Sequence, residues 1–244
     1  PPLPQLGLCG LREMGLPLPG GASHMTAGYI RRIADIVLGM VVSAVGIVMM
    51  LQANIGLEPW SVLQEGMSNT LGITYGTASM IVGAVVVAVS LLCGEPIGLG
   101  TVLNIILCAL FIDGLLALDW IPRMETLWGG LLMLVAGLEI LVIGTWLYMR
   151  TALGSGPRDS LMVALARKTG RSVGICRATV EIAVIVAGWL LGGQVGIGTV
   201  ISAVGLGSLF NLNFKLLHFH ASELRQESIL ETLRSLCRLG RKTS

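Results

Sequence analysis

Residues 54–76 read NIGLEPWSVLQEGMSNTLGITYG, and residues 152–174 read ALGSGPRDSLMVALARKTGRSVG. The two stretches stand 98 positions apart and share their punctuation: Gly56 falls on Gly154, Pro59 on Pro157, Leu63 on Leu161, Gly72 on Gly170 and Gly76 on Gly174. Proline suits the first turn of a helix, where its missing N–H would have no partner, and glycine suits the position just past the end. The spacing therefore predicts one helix of about 13 residues in each stretch. At 1.5 Å per residue that is roughly 20 Å, too short to cross a bilayer. Each is either a re-entrant half-helix or a helix lying flat at the headgroups, with Trp60 as an interfacial anchor in the second case.

The correspondence extends well beyond these stretches. Shifted by 98 positions, residues 37–116 align with 135–214 without a gap, placing Gly39, Gly46, Gly94, Gly98 and Gly100 on Gly137, Gly144, Gly192, Gly196 and Gly198. An internal duplication is the simplest cause. Six apolar runs approach the length of a membrane-spanning helix: Ile33–Leu51, Gly76–Cys93, Gly98–Leu118, Leu127–Met149, Ile175–Leu191 and Gly196–Leu217. Arg177 and Glu181 interrupt the fifth, but as an i,i+4 pair they can satisfy each other. Three spans per half is an odd number, so the second half must enter from the opposite side. The fold expected is all-α: six transmembrane helices in two inverted three-helix repeats, each with one short helix, a plan common in secondary transporters.

Composition agrees. With 54% hydrophobic residues, 12% charged residues and a mean hydropathy of +0.82, the chain lacks the polar surface of a soluble domain, where charge is about 25%. Thirty-three glycines against four Phe and three Tyr favour closely packed helices over an aromatic-girdled barrel. A net charge of +2 gives no reason to expect a nucleic-acid partner. Fifteen of the sixteen basic residues fall on the side of the termini and of the 150–177 loop, and Arg123 alone falls on the other. The positive-inside rule then places both termini in the cytoplasm and the protein in the inner membrane. The division expected is a disordered extension 1–28, a first repeat 29–118, a second repeat 119–217 and a cytoplasmic tail 218–244. Within that tail, Ser222–Leu239 has the spacing of a basic amphipathic helix for the anionic leaflet.

Candidate functional residues follow from that plan. If the short helices are re-entrant, their N-termini present free N–H groups to an anionic or carboxylate-bearing solute. The expected binding residues are Gly56, Pro59 and Trp60 in the first half and Gly154, Gly156, Pro157, Arg158 and Asp159 in the second. Glu139, the thirteenth residue of its span, is a carboxylate near mid-membrane and a candidate for ion coupling; Asp113 is a second. Asp35, four residues after Arg31, reads as a local ion pair. Asn104, Thr101 and Thr199 suit either a polar path or helix-to-helix hydrogen bonds. The Gly98-Leu99-Gly100-Thr101 and Gly196-Ile197-Gly198-Thr199 segments lack the lysine and strand context of a nucleotide site, so close helix packing is their expected role. Ser155 with His218 or His220 makes no intramembrane nucleophile–base pair, and the two histidines lack a third metal ligand. Five cysteines without a C-x-x-C spacing define neither a disulfide framework nor a zinc site. No enzyme activity, cofactor or metal is expected.

Gly56-Leu57-Glu58-Pro59-Trp60-Ser61-Val62-Leu63 resembles the G-x-G-P-W-D-x-L segment that follows the first span in the bacterial YczE/YitT-type integral membrane family. Gly98-Leu99-Gly100-Thr101 and the echo Gly154-Ser155-Gly156-Pro157-Arg158-Asp159-Ser160-Leu161 extend the likeness over about residues 29–217. The first half departs at Glu58 and Ser61, and the second at Arg158. The resemblance implies a fold and a membrane location, not a substrate.

The function expected is a permease moving a small solute at the repeat interface, with the bilayer and that solute as partners and homo-oligomers compatible. The alternatives are a non-transporting scaffold or accessory subunit, and the substrate-binding subunit of an energy-coupled importer.

Overall fold

The computed structural model describes residues 22–94, 98–152 and 156–217. Over these residues the chain is helical, with no strand. The helices are α1 (Ala22–Gln52), α2 (Pro59–Leu71), α3 (Tyr75–Leu92), α4 (Leu99–Leu118), α5 (Leu127–Met149), α6 (Pro157–Thr169), α7 (Val173–Leu190) and α8 (Ile197–Leu216). Within α4, Asn104–Cys108 form a π turn. Because α1 starts at Ala22, residues 22–28 are helical, whereas the sequence placed them in the extension. The expected tail helix and Gly154 lie outside the described residues.

Helix bounds recur at the 98-residue interval. Pro59–Leu71 corresponds to Pro157–Thr169, Tyr75–Leu92 to Val173–Leu190, and Leu99–Leu118 to Ile197–Leu216. The joints recur too. Asn54 and Ala152 take φ of 57° and 56°, Gly72 and Gly170 end the short helices at 64° and 67°, and Gly94 and Gly192 sit at 85° and 84°. Thr74 and Ser172 cap α3 and α7 by accepting the amides of Thr77 and Ile175.

Among the described residues, five helices are long and apolar enough to cross a membrane: α1 from Arg31 onward, α3, α4, α5 and α8. The fifth expected span corresponds to α7, which equals α3 in length. Its two charged residues, Arg177 and Glu181, form an ion pair of 2.8 Å and line an internal cavity.

The centre of the packing is α1 against α5. Ile36, Met40, Ala44, Ile47 and Val48 on α1, and Leu134, Leu138 and Val142 on α5, are buried at the i, i+4 spacing of a helix stripe. Leu132, Val135 and Ile143 on the opposite face of α5 are exposed, as lipid-facing side chains are. Two glycine contacts set the distance, Gly39 with Gly144 and Gly46 with Gly137. Numbers rise along α1 as they fall along α5, so the two helices run antiparallel. Asp35 bonds Arg150 across this pair at 2.9 Å, not Arg31 as its spacing suggested.

The short helices cross between segments. Gly66 on α2 presses on the Gly188 carbonyl of α7, and Asn69 and Thr70 donate to the carbonyls of Gly192 and Leu191. In the corresponding place α6 packs on α3, with Lys168 donating to the Leu92 carbonyl at 3.5 Å. The glycine-packing reading of the 196–199 segment holds. Gly198 donates to the Ile55 carbonyl at 2.9 Å, and a Cβ there would stand 2.6 Å from the Gly56 carbonyl.

Candidate functional site

Burial along α2 is graded from end to end, not striped. Residues 56–62 are all buried, whereas Asn69, Thr70 and Leu71 are exposed. A helix lying flat would bury one face along its whole length; α2 instead points its N-terminus into the protein. The described side chains of α6 behave likewise, with Leu161, Met162 and Ala164 buried and residues 167–169 exposed. Proline at the first turn and a left-handed glycine at the end produce this shape twice.

The two N-termini meet. Glu58 immediately precedes α2 and is 1% exposed. Arg158, in the first turn of α6, donates Nη1 to its Oε1 at 2.7 Å. Ser61 Oγ donates to the same oxygen at 3.2 Å. The Tyr75 hydroxyl stands 2.9 Å from Ser61 Oγ and 2.7 Å from Gln64 Oε1. Tyr75 has one proton, which it gives to one of these two oxygens; Ser61, whose own proton goes to Glu58, can accept it. Arg158 also lies over the Trp60 ring, 5.2 Å from its centroid, within cation–π range.

Of these groups, Glu58, Trp60, Gln64 and Arg158 open onto a cavity of about 140 Å³. Its wall pairs positions 98 residues apart: Trp60 with Arg158, Gln64 with Met162, Ser79 with Arg177, Gly83 with Glu181, and Ile47 with Thr145. Among the described residues its charged lining is Glu58, Arg158, Arg177 and Glu181, two carboxylates and two guanidiniums. Ser43 also lines it, with Leu141 as its equivalent. The Ser43 hydroxyl is buried and has no hydrogen-bond partner among the described residues.

Of the binding residues read from sequence, Trp60, Gly156 and Arg158 line the cavity. Pro59 is buried at the start of α2. Gly56, at φ +110°, is a packing residue; a Cβ there would meet the Gly196 backbone at 2.6 Å. Pro157 and Asp159 occupy the first turn of α6. The two coupling candidates stand off the cavity wall. Asp113 accepts Thr74 Oγ1 at 2.6 Å and the Gly76 amide at 2.7 Å, fastening α4 to the start of α3. Glu139 is half-buried on α5, four residues from lipid-facing Val135 and Ile143. Asn104 lines the cavity, whereas Thr199 instead accepts the Gly196 amide. Sequence reasoning did not assign Gln64, Tyr75, Arg177 and Glu181 to the site. The intramembrane charges of the fifth span were the available signal for the last two.

The fold and site define a multi-pass helical membrane protein with a charged internal cavity. Residues 30–215 match the family model described as "Family of unknown function (DUF6198)", and the chain belongs to that family. An "Uncharacterized protein" of Haemophilus influenzae is 33% identical over 187 residues, covering 77% of this chain and 84% of its own. The "Uncharacterized membrane protein YczE" of Bacillus subtilis is 30% identical over 177 residues, covering 72% and 81%. "Uncharacterized protein YyaS" of the same organism is 24% identical over 191 residues, covering 75% and 92%. These matches bear out the YczE-type resemblance. No solved structure matches.

Proposed function

We propose that the chain is an inner-membrane secondary transporter of a small solute, built from six spanning helices in two inverted repeats. The observation that carries this reading is the cavity itself, which lies where the short helices α2 and α6 meet N-terminus to N-terminus and is walled by equivalent positions of the two halves. Discontinuous helices meeting at a charged site between inverted repeats are the working parts of many such transporters. Two helices of 13 residues placed end to end reach about 40 Å, enough to cross the hydrocarbon core. The antiparallel α1–α5 seam and the recurring helix bounds support the inversion. Counted with its charges turned inward, α7 is the sixth span, and the positive-inside distribution puts both termini in the cytoplasm.

Flux in proteoliposomes, across a panel of amino acids, organic acids, cations and uncharged polar solutes, tests the proposal. Saturable uptake of one member supports it. A correctly folded protein that moves and binds none of them sinks it.

A further inference from the structure

We propose that the cavity binds a small zwitterion, with the solute's carboxylate on the guanidinium forks of Arg158 and Arg177 and its cationic end on Glu58 and Glu181; this rests on the transporter reading of the same site. Charge balance comes first. The charged lining sums to zero, and it lies among helices long and apolar enough to cross a membrane. A singly charged solute would bring an uncompensated charge into that low-dielectric space, whereas a zwitterion leaves the sum unchanged.

The two ion pairs have unspent capacity. Arg158 gives Nη1 to Glu58 and Arg177 gives Nε to Glu181, yet the two arginine side chains remain 34% and 37% exposed. A guanidinium carries five donors in a planar fork that matches a carboxylate bidentately. An uncharged polar solute could hydrogen-bond to the forks and the carboxylates but would leave their charges unmatched, so the arrangement favours a molecule with both charges.

Size narrows the class. A cavity of about 140 Å³ is close to the roughly 150 Å³ space that admits benzene, which corresponds to a solute the size of alanine or serine.

The test uses the full-length protein in lipid nanodiscs, with glycine, L-alanine and L-serine against propionate, which keeps only the carboxylate, and ethylamine, which keeps only the ammonium. Binding is read by thermal shift over a concentration series. The zwitterions are expected to act at concentrations about tenfold or more below either fragment. Arg158→Lys keeps the charge beside Glu58 but removes the fork, and should weaken alanine binding by about tenfold. Propionate or ethylamine binding as tightly as alanine, or full alanine affinity in Arg158→Lys, overturns the assignment. If proteoliposomes carry a singly charged or uncharged solute while no zwitterion binds, the zwitterion falls and the transporter stands. If nothing moves or binds, both fall.

Discussion

Gly39 and Gly144 lie so close across the α1–α5 seam that a Cβ on either would stand 2.8 Å from the other's carbonyl oxygen. Gly46 and Gly137 repeat the contact one turn pair away, at 2.6 and 2.8 Å. Close approach through small residues is how membrane helices gain packing energy where lipid offers no hydrophobic drive. Gly46→Ala and Gly144→Ala should each lower stability by about 1–3 kcal/mol, the usual range for overpacking. Gly114→Ala is the control, because nothing lies within 4 Å of the Cβ it adds. Thermal unfolding in detergent distinguishes the two groups; equal melting temperatures would contradict the seam.

Asp113 fastens the start of α3, so Asp113→Ala should reduce stability by about 1–2 kcal/mol, as loss of a helix cap does. Its equivalent Asn211 is exposed, and Gly174, the equivalent of Gly76, has nothing within 4 Å of where a Cβ would stand. Asn211→Ala should therefore change little. The pH dependence of any measured uptake should be the same in Asp113→Asn as in the parent, which separates capping from ion coupling.

Glu58 and Arg158 should show strong non-additivity. Removing one partner strands a charge at a desolvated position, and with Arg158 partly open to the cavity we expect Arg158→Met alone to destabilise by about 2–3 kcal/mol. The double variant Glu58→Gln with Arg158→Met should recover most of that loss, because no unpaired charge remains. Denaturation of the two single variants and the double variant measures the coupling; simple addition would mean the pair contributes nothing.

Glu139 stands off the cavity wall, so Glu139→Gln should leave solute affinity within about twofold of the parent. Loss of an ionisable group at membrane depth should also favour insertion. Binding and membrane yield, measured together, check both halves of the expectation. A collapse of affinity would return Glu139 to the site.

The short helices were legible in the sequence because their boundaries are local: Pro59 and Gly72, and Pro157 and Gly170, fix start and stop without reference to the rest of the chain. The span Leu127–Met149 was legible for the same reason, as a continuous apolar run. The partners of charged residues were not. Glu58 meets Arg158 across 100 positions and Asp35 meets Arg150 across 115, and no periodicity connects residues that far apart. The roles of Asp113 and Glu139 were hidden differently. Hydropathy reports a residue's depth in the membrane, whereas its helix face depends on neighbours that the pattern leaves unnamed. Arg158 was legible as a site residue because proline placed it in the first turn of α6. Tyr75 was not, since only the fold brings its hydroxyl back to Ser61 and Gln64.

Trp60 and Arg158 occupy equivalent places in the two segments and face each other. Had the segments remained separate, identical subunits, every group near the axis would have met its own copy. With a second copy of the first segment, Trp60 would stand where Arg158 does and leave the buried Glu58 without its cation, and two second segments would set Arg158 against Arg158, a repulsion of like charges in a poorly solvated place. Joining the segments in one polypeptide lets each mutate alone, so opposite signs can stand where symmetry would enforce the same one. The covalent link between the halves is thus what makes an electrically neutral chamber with charged walls attainable.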